Sequence, residues 1–314
     1  MAAALNTFVI DSAESASLAS ASGLSSVFSL LPSLVPSAQP LARPPISNYP
    51  VAAVALSSDG RIFIGVNLEF PGLPLHHSVH AEQFMIANAA LHGASRIDYI
   101  AVSSAPCGHC RQFLQEIRGA HEIQILITSD ADADAAFRPL SDLLPHRFGP
   151  DDLLGKEAPL LMEPRDNGLA LGLPDPEEKR IGHCNGDSRG ARDWEELKRS
   201  ALEAANRAHA PYSRCPSGAA VMDSKGRVFS GSYVESAAYN PSLMPLQAAL
   251  VAYVARSGGG RYEEIVAAAL VEKEEAAVGQ EATARMVLRS VAPDCDFRAF
   301  RCMRLDGKKT PVAS

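Results

Sequence analysis

The readable part of the chain opens on two apolar runs separated by a polar turn. Val51 to Phe70, VAAVALSSDGRIFIGVNLEF, predicts two strands folded across Asp59-Gly60 as a β-hairpin. The hydrophobic period then changes. In AEQFMIANAALHG, Phe84, Ala87, Ala90 and Leu91 recur at helical spacing and Gly93 ends the run, which predicts a helix with His80 at its start. Ile97 to Ser103, IDYIAVS, predicts a largely buried strand. Pro106 begins a second helix through CRQFLQEI, because proline is favoured in a first helical turn.

The pattern then returns. GAAVMDSKGRVFSGSYVES, Gly218 to Ser236, aligns with Val51 to Phe70 as a second pair of strands around a Lys225-Gly226 turn. At a near-constant offset Glu69 falls on Glu235, Asn67 on Tyr233, and the His80-Ala81-Glu82 window near Pro245-Leu246-Gln247. The apolar pattern survives in LQAALVAYVA and EEIVAAALVE, as expected of a copy kept for packing. Between the copies, Gly155 to Ala191 is rich in Pro, Gly, Asp and Glu and predicts a linker that wraps the first domain. With 314 residues and 46% hydrophobic content, the chain can build two domains with real cores.

The candidate chemistry lies in two short segments, His80-Ala81-Glu82 and Pro106-Cys107-Gly108-His109-Cys110. One imidazole and two thiolates fill three positions of a tetrahedral zinc site, and a water in the open fourth has a pKa near 7. Glu82 stands close enough to move protons without being a ligand. Cys107 and Cys110 are spaced i, i+3 on one face of a first helical turn, where the helix dipole favours thiolate. A lone C-x-x-C equally fits a redox pair, half of a zinc ribbon or two buried cysteines. A ribbon needs a second such pair, and Cys184, Cys215, Cys295 and Cys302 form none; a redox pair needs no H-x-E upstream. Arg111 reads either as a group drawing charge from the thiolates or as a solvated surface residue, and His109 as a surface or outer-shell residue.

These motifs resemble the cytidine deaminases, in particular the long-chain homodimeric type with two related domains per subunit. The H-x-E with P-C-x-x-C signature is that of zinc-dependent nucleobase deaminases. The resemblance runs from about Leu34 to near the C-terminus. It covers VNLEF (Val66 to Phe70), HAEQ (His80 to Gln83), APCGHCRQF (Ala105 to Phe113), RFGPDDL (Arg147 to Leu153) and ANRAHAPYSRCPSG (Ala205 to Gly218). It implies an α/β fold: two related three-layer α/β/α domains, each a mixed sheet with helices on both faces, after an N-terminal helical segment. The implied boundaries are 1–154 for that segment and a catalytic domain, 155–191 for the linker, and 192–314 for a degenerate non-catalytic domain.

The resemblance further implies one zinc per chain, held by His80, Cys107 and Cys110, with Glu82 as the catalytic proton shuttle. Asn67 and Glu69, with Leu68 between them, match the pair that holds the ribose, chiefly its 3′-hydroxyl. Tyr49 and Phe148 match aromatic positions bordering the base, Phe148 near a subunit contact. The Ala105 carbonyl matches an acceptor for the leaving amino group. The implied reaction is hydrolysis of cytidine, and of 2′-deoxycytidine, to the uridine and ammonia in pyrimidine salvage, by a homodimer.

Charge narrows the substrate class. A formal net charge of -7 with no basic stripe argues against a polynucleotide substrate, and more weakly against a nucleotide, because phosphates call for a cationic surface. The rival readings are an RNA- or DNA-editing deaminase and a non-enzymatic structural-zinc protein. Thiols needed as ligands favour a reducing compartment, and the expectation is the cytosol. No apolar run reaches the roughly 18 residues of a membrane span. Met1 to Ala38 is rich in Ala, Ser and Leu, contains Asp11 and Glu14, and has no arginine before Arg43, which argues against an organellar transit peptide.

Overall fold

Both expected hairpins are present in the computed structural model, which describes residues 5–129, 136–172 and 188–305. Packing divides the chain into two units. The first is Met1–Glu163 with Ser236–Ser242 and Ala255–Gly259; the second is Pro164–Glu235, Leu243–Val254 and Gly260–Ser314.

The first unit holds a six-stranded mixed sheet. Its strands are β1 (Val9–Ile10), β2 (Ala52–Ser57), β3 (Ile62–Val66), β4 (Ile97–Val102), β5 (Gln124–Ile127) and β6 (Arg138–Pro139), in the order β1-β3-β2-β4-β5-β6. Only β4 and β5 run parallel. Helices α1 (Ser12–Ala21), α2 (Leu31–Ala38), α3 (Ala81–Leu91) and α4 (Gly108–Leu114) accompany it. α2 packs on β2 and β4, and α3 on β3 and β2. β3 is buried at every position and β2 at all but one, as strands covered on both faces should be.

Two details refine the expectations. α3 is buried over most of its surface, with Phe84, Met85, Ile86, Asn88 and Ala89 inside, but of the four residues that set the expected stripe only Phe84 is buried, while Ala87, Ala90 and Leu91 are half-buried. The N-terminal segment is not purely helical: Val9–Ile10 adds a strand antiparallel to β3 before α1 begins, with Asp11 capping α1 by accepting from the Glu14 N–H. Gly65 fixes how closely α3 can lie on β3. A Cβ there would sit 2.2 Å from the Ala81 carbonyl oxygen and 2.3 Å from the Met85 nitrogen, so the start of α3 rests directly on the strand.

The second unit repeats the plan. Strands β7 (Leu169–Leu171), β8 (Ser217–Asp223), β9 (Val228–Ser232), β10 (Ile265–Lys273) and β11 (Asp296–Arg304) lie in the order β7-β11-β10-β8-β9. The run β9-β8-β10-β11 has the same pairings as β3-β2-β4-β5: antiparallel, antiparallel, parallel. Gly231 on β9 takes the place of Gly65, since a Cβ there would lie 2.1 Å from the Ala249 nitrogen on the helix Pro245–Arg256. The core between this sheet and the helix Ser188–Asn206 is built from Leu197, Ala201, Ala205, Met222, Val271 and Phe300.

Of the stretch 155–191, residues 173–187, Cys184 among them, lie outside the described residues. The part before them divides between the units. Arg118 pairs with Glu163 and donates to the Ala158 carbonyl, and the Leu161 N–H donates to the Glu116 carbonyl. Leu169–Leu171 is the edge strand of the second sheet, antiparallel to β11. Among the described residues no helix is long and apolar enough to cross a membrane.

Candidate active site and metal centre

His80 is the N-cap of α3 and Cys107 the N-cap of α4, so two helix starts carry the candidate ligands. The His80 Nδ1 lies 3.3 Å from the Cys110 Sγ and 3.5 Å from the Cys107 Sγ, and the two sulfurs are 3.8 Å apart. Tetrahedral zinc with Zn–S of about 2.3 Å and Zn–N of about 2.0–2.1 Å requires about 3.8 Å between sulfurs and about 3.6 Å from sulfur to nitrogen. The spacing therefore fits zinc, with one position left open. Among the described residues this is the one group of His, Cys, Asp or Glu that could hold a metal.

The electrostatics show how a cation would be received. Cys107 is the first thiolate to form, pushed down to about 3 by the hydrogen bond from the Cys110 thiol and then by the His80 ring. Cys110 holds its proton well above the usual thiol range, through that same bond to Cys107 and through burial. A dication held by these residues would displace this second proton. The His80 ring is held up chiefly by Cys107 against the opposing effect of burial. Glu82 is only 4% exposed, and burial pushes its carboxyl above the ordinary range. It sits beside the Cys110 thiol and is not one of the three ligands.

An outer layer holds the two helix starts in register. Gln83 Oε1 accepts from the His80 N–H at 3.2 Å, and Gln83 Nε2 donates to the Pro241 carbonyl at 2.8 Å. The His109 ring hydrogen-bonds the same carbonyl and stacks on His80 with centroids 5.0 Å apart. One carbonyl thus receives a donor from α3 and a donor from α4. The segment that carries it, Ser236–Ser242, belongs to the first unit and is held by a second bond, from the Ala237 N–H to Glu116 Oε1 at 2.7 Å. His109 is therefore an outer-shell residue. Arg111 is half-buried, and its Nε donates to the Pro106 carbonyl and its Nη1 to the Leu143 carbonyl.

Beside the metal centre stands a polar wall. Glu69 Oε2 accepts from the Ile46 and Ser47 N–H groups, both at 2.9 Å, and Oε1 from the Ser47 hydroxyl at 2.6 Å. Burial raises the Glu69 carboxyl, but the Ser47 hydroxyl and the two amides more than offset this and hold it below its ordinary range. Asn67 Oδ1 accepts from the Val51 N–H and Nδ2 donates to the Tyr49 carbonyl. The Tyr49 hydroxyl lies 2.8 Å from the Ser104 Oγ, next to Ala105 on the turn that leads into Cys107. Asn67, Glu69, Tyr49 and the β4–α4 turn therefore form one hydrogen-bonded surface.

Two expected residues behave differently. Leu68 is fully buried, and its N–H and C=O are both bonded to Val79, so it offers a ligand neither side chain nor backbone and acts as core. Phe148 is 44% exposed, and its carbonyl accepts from Gln112 Nε2. Sequence reasoning missed Ser47, Gln83 and the Pro241 carbonyl. The signal for Ser47 was present, because Pro45-Ile46-Ser47-Asn48-Tyr49-Pro50 and Pro211-Tyr212-Ser213-Arg214-Cys215-Pro216 share P-x-S-x-x-P.

In the second copy the capping bond from the Met244 N–H to Gln247 Oε1 reproduces that from His80 to Gln83. His80 thus corresponds to Met244 and Glu82 to Leu246, one residue earlier than the expected Pro245-Leu246-Gln247 window and two earlier than the Glu69-to-Glu235 offset carried straight through.

Comparison with known proteins agrees with the geometry. A family profile described as "Cytidine and deoxycytidylate deaminase zinc-binding region" matches residues 30–127, and a second profile with the same description matches 140–285. Cytidine deaminase 1 of Arabidopsis thaliana is 56% identical over 304 residues, 94% of this chain and 98% of the relative. Cytidine deaminase 6 of the same plant is 50% identical over 280 residues, 87% of this chain and 92% of the relative. Among solved structures, the cytidine deaminase of Mycobacterium tuberculosis is 31% identical with a TM-score of 0.34, covering 39% of this chain and 97% of its own. With a ligand trio spaced for zinc, a buried carboxylate beside it, and relatives matched almost end to end, this chain belongs to the cytidine deaminase family.

Proposed function

We propose that the chain hydrolyses free cytidine and 2′-deoxycytidine to the corresponding uridines and ammonia, as a homodimer in the cytosol serving pyrimidine salvage. The observation that carries the reading is Glu82, a carboxylate buried at the metal centre yet outside the ligand set. Bound zinc supplies Lewis acidity, lowering the pKa of water in its open position toward 7. Glu82 takes a proton from the attacking water and delivers one to N3 of cytosine, which makes C4 electrophilic. The carboxylate, free again, takes the remaining proton from the new C4 hydroxyl and passes it to the amino group, which leaves as ammonia as the C4 carbonyl forms, so no separate acid is needed. The Ala105 carbonyl, exposed at the start of the α4 turn, is assigned to the departing amino group. Tyr49 borders the base, and the exposed Phe148 ring borders it from the region of a subunit contact.

Asn67 and Glu69 hold the ribose. The three hydrogen bonds to the turn leave Glu69 Oε1 with one further acceptor site, which suits a single sugar hydroxyl. Glu69→Gln is expected to keep zinc and to raise KM for cytidine on the order of tenfold, as a charged acceptor is lost. An unchanged KM would show that the ribose is held elsewhere.

The function itself is tested by an ultraviolet assay on cytidine, 2′-deoxycytidine and a cytosine-containing oligonucleotide. Zinc-dependent turnover of the nucleosides, with the oligonucleotide untouched, is the expected result. Deamination of the oligonucleotide alone would replace this reading with an editing activity. Light scattering tests the assembly, for which a mass of twice 33.3 kDa is expected.

A further inference from the structure

The two copies share a carboxylate clamp, and among the described residues only the first copy has a metal-ligand trio. In the first, Glu69 accepts from the Ile46 and Ser47 N–H groups and the Ser47 hydroxyl, and Ser47 Oγ accepts from the Tyr49 N–H at 3.1 Å. In the second, Glu235 Oε2 accepts from the Tyr212 N–H at 2.9 Å and the Ser213 N–H at 3.1 Å, and Oε1 from the Ser213 hydroxyl. Ser213 Oγ then accepts from the Cys215 N–H at 3.0 Å. The backbone follows suit: Asn48 and Arg214, next after the two serines, both take positive φ, 54° and 59°. What differs is the setting. Glu235 is 3% exposed, Cys215 stands where Tyr49 does, and Met244 and Leu246 replace His80 and Glu82.

A clamp retained where there is no metal trio cannot owe its form to catalysis. Its first effect is to close a turn with a left-handed residue in it. In the first copy the same turn carries Tyr49 into the wall and fixes which acceptor site Glu69 has left. We propose that Ser47 is a positioning residue for nucleoside binding: through its single hydroxyl it sets both the Glu69 carboxylate and the Tyr49 backbone, whereas its twin Ser213 serves stability alone. The proposal rests on the reading that Glu69 and Tyr49 face the nucleoside.

The twin supplies the control. S47A and S213A are made in the full-length zinc enzyme, with S47T to restore the hydroxyl, and thermal midpoint, KM and kcat for cytidine are measured. Both alanine variants are expected to lower the midpoint, since each leaves a carboxylate short of one donor. Only S47A is expected to raise KM, by about tenfold with kcat changed far less, the pattern of lost uniform binding. S47T is expected to bring KM back. If S47A fails to fold, S47C, which keeps the side-chain size with a weaker donor, carries the same test. A fallen midpoint with unchanged KM in S47A, or equal rises in KM in S47A and S213A, would overturn the proposal. If Glu69→Gln raises KM while S47A does not, this inference alone fails; if neither moves KM, the nucleoside reading beneath it fails.

Discussion

Glu82→Gln is expected to leave zinc at full occupancy and to cut kcat by 10²-fold or more. The amide keeps the shape of the side chain in a site that is only 4% exposed, so packing around α3 is preserved. What is lost is the capacity to accept and return a proton, and a positioned general acid/base contributes roughly 10²- to 10⁴-fold. The expected change falls in kcat more than in KM, because the proton is in transit only as the reaction proceeds. Metal analysis and steady-state kinetics on the same preparation check both halves. Loss of zinc from this variant would make Glu82 a ligand and sink the assignment.

Cys110→Ala is expected to abolish both zinc and activity. With Cys110 gone, His80 and Cys107 remain as two ligands on two different helices, and tetrahedral zinc sites hold three or four protein ligands. Stability should fall with the metal, because metal binding free energy is folding free energy where the site ties separate elements together. Wild-type protein is expected to carry one zinc per chain and the variant none, with a lowered thermal midpoint. Cys295→Ala, outside the trio, provides the comparison and should keep its metal. Two zincs per wild-type chain, or one retained in Cys110→Ala, would contradict the site.

How much of this was legible in the sequence depended on whether a residue acts through its own side chain. His80, Glu82, Cys107 and Cys110 announce themselves, since their chemistry and spacing are both visible in the string. The hairpins were legible because alternation and turn residues are local. The register of the second copy was not. Leu68 pairs with Val79 but Val234 pairs with Leu243, so the second connection is two residues shorter, and an offset carried straight through misses Met244. Leu68 failed for another reason: sitting between two polar wall residues, it looks like part of the wall, yet strand alternation turns it into the core. The partners of Arg111 were not legible, because the Pro106 and Leu143 carbonyls are backbone atoms that every residue possesses.

The Pro241 carbonyl has a consequence for which changes the segment Ser236–Ser242 can absorb. A carbonyl is common to all residues, so the side chain at position 241 can vary while the donors from Gln83 and His109 still find their acceptor. The path of the main chain through Ser236–Ser242 has no such latitude, since the Ala237 N–H and the Pro241 carbonyl must reach Glu116 and Gln83 together. Substitution is therefore the tolerated kind of change in this segment. Insertion or deletion of a single residue is the damaging kind, and its damage would surface at a metal centre more than 120 positions away in the chain.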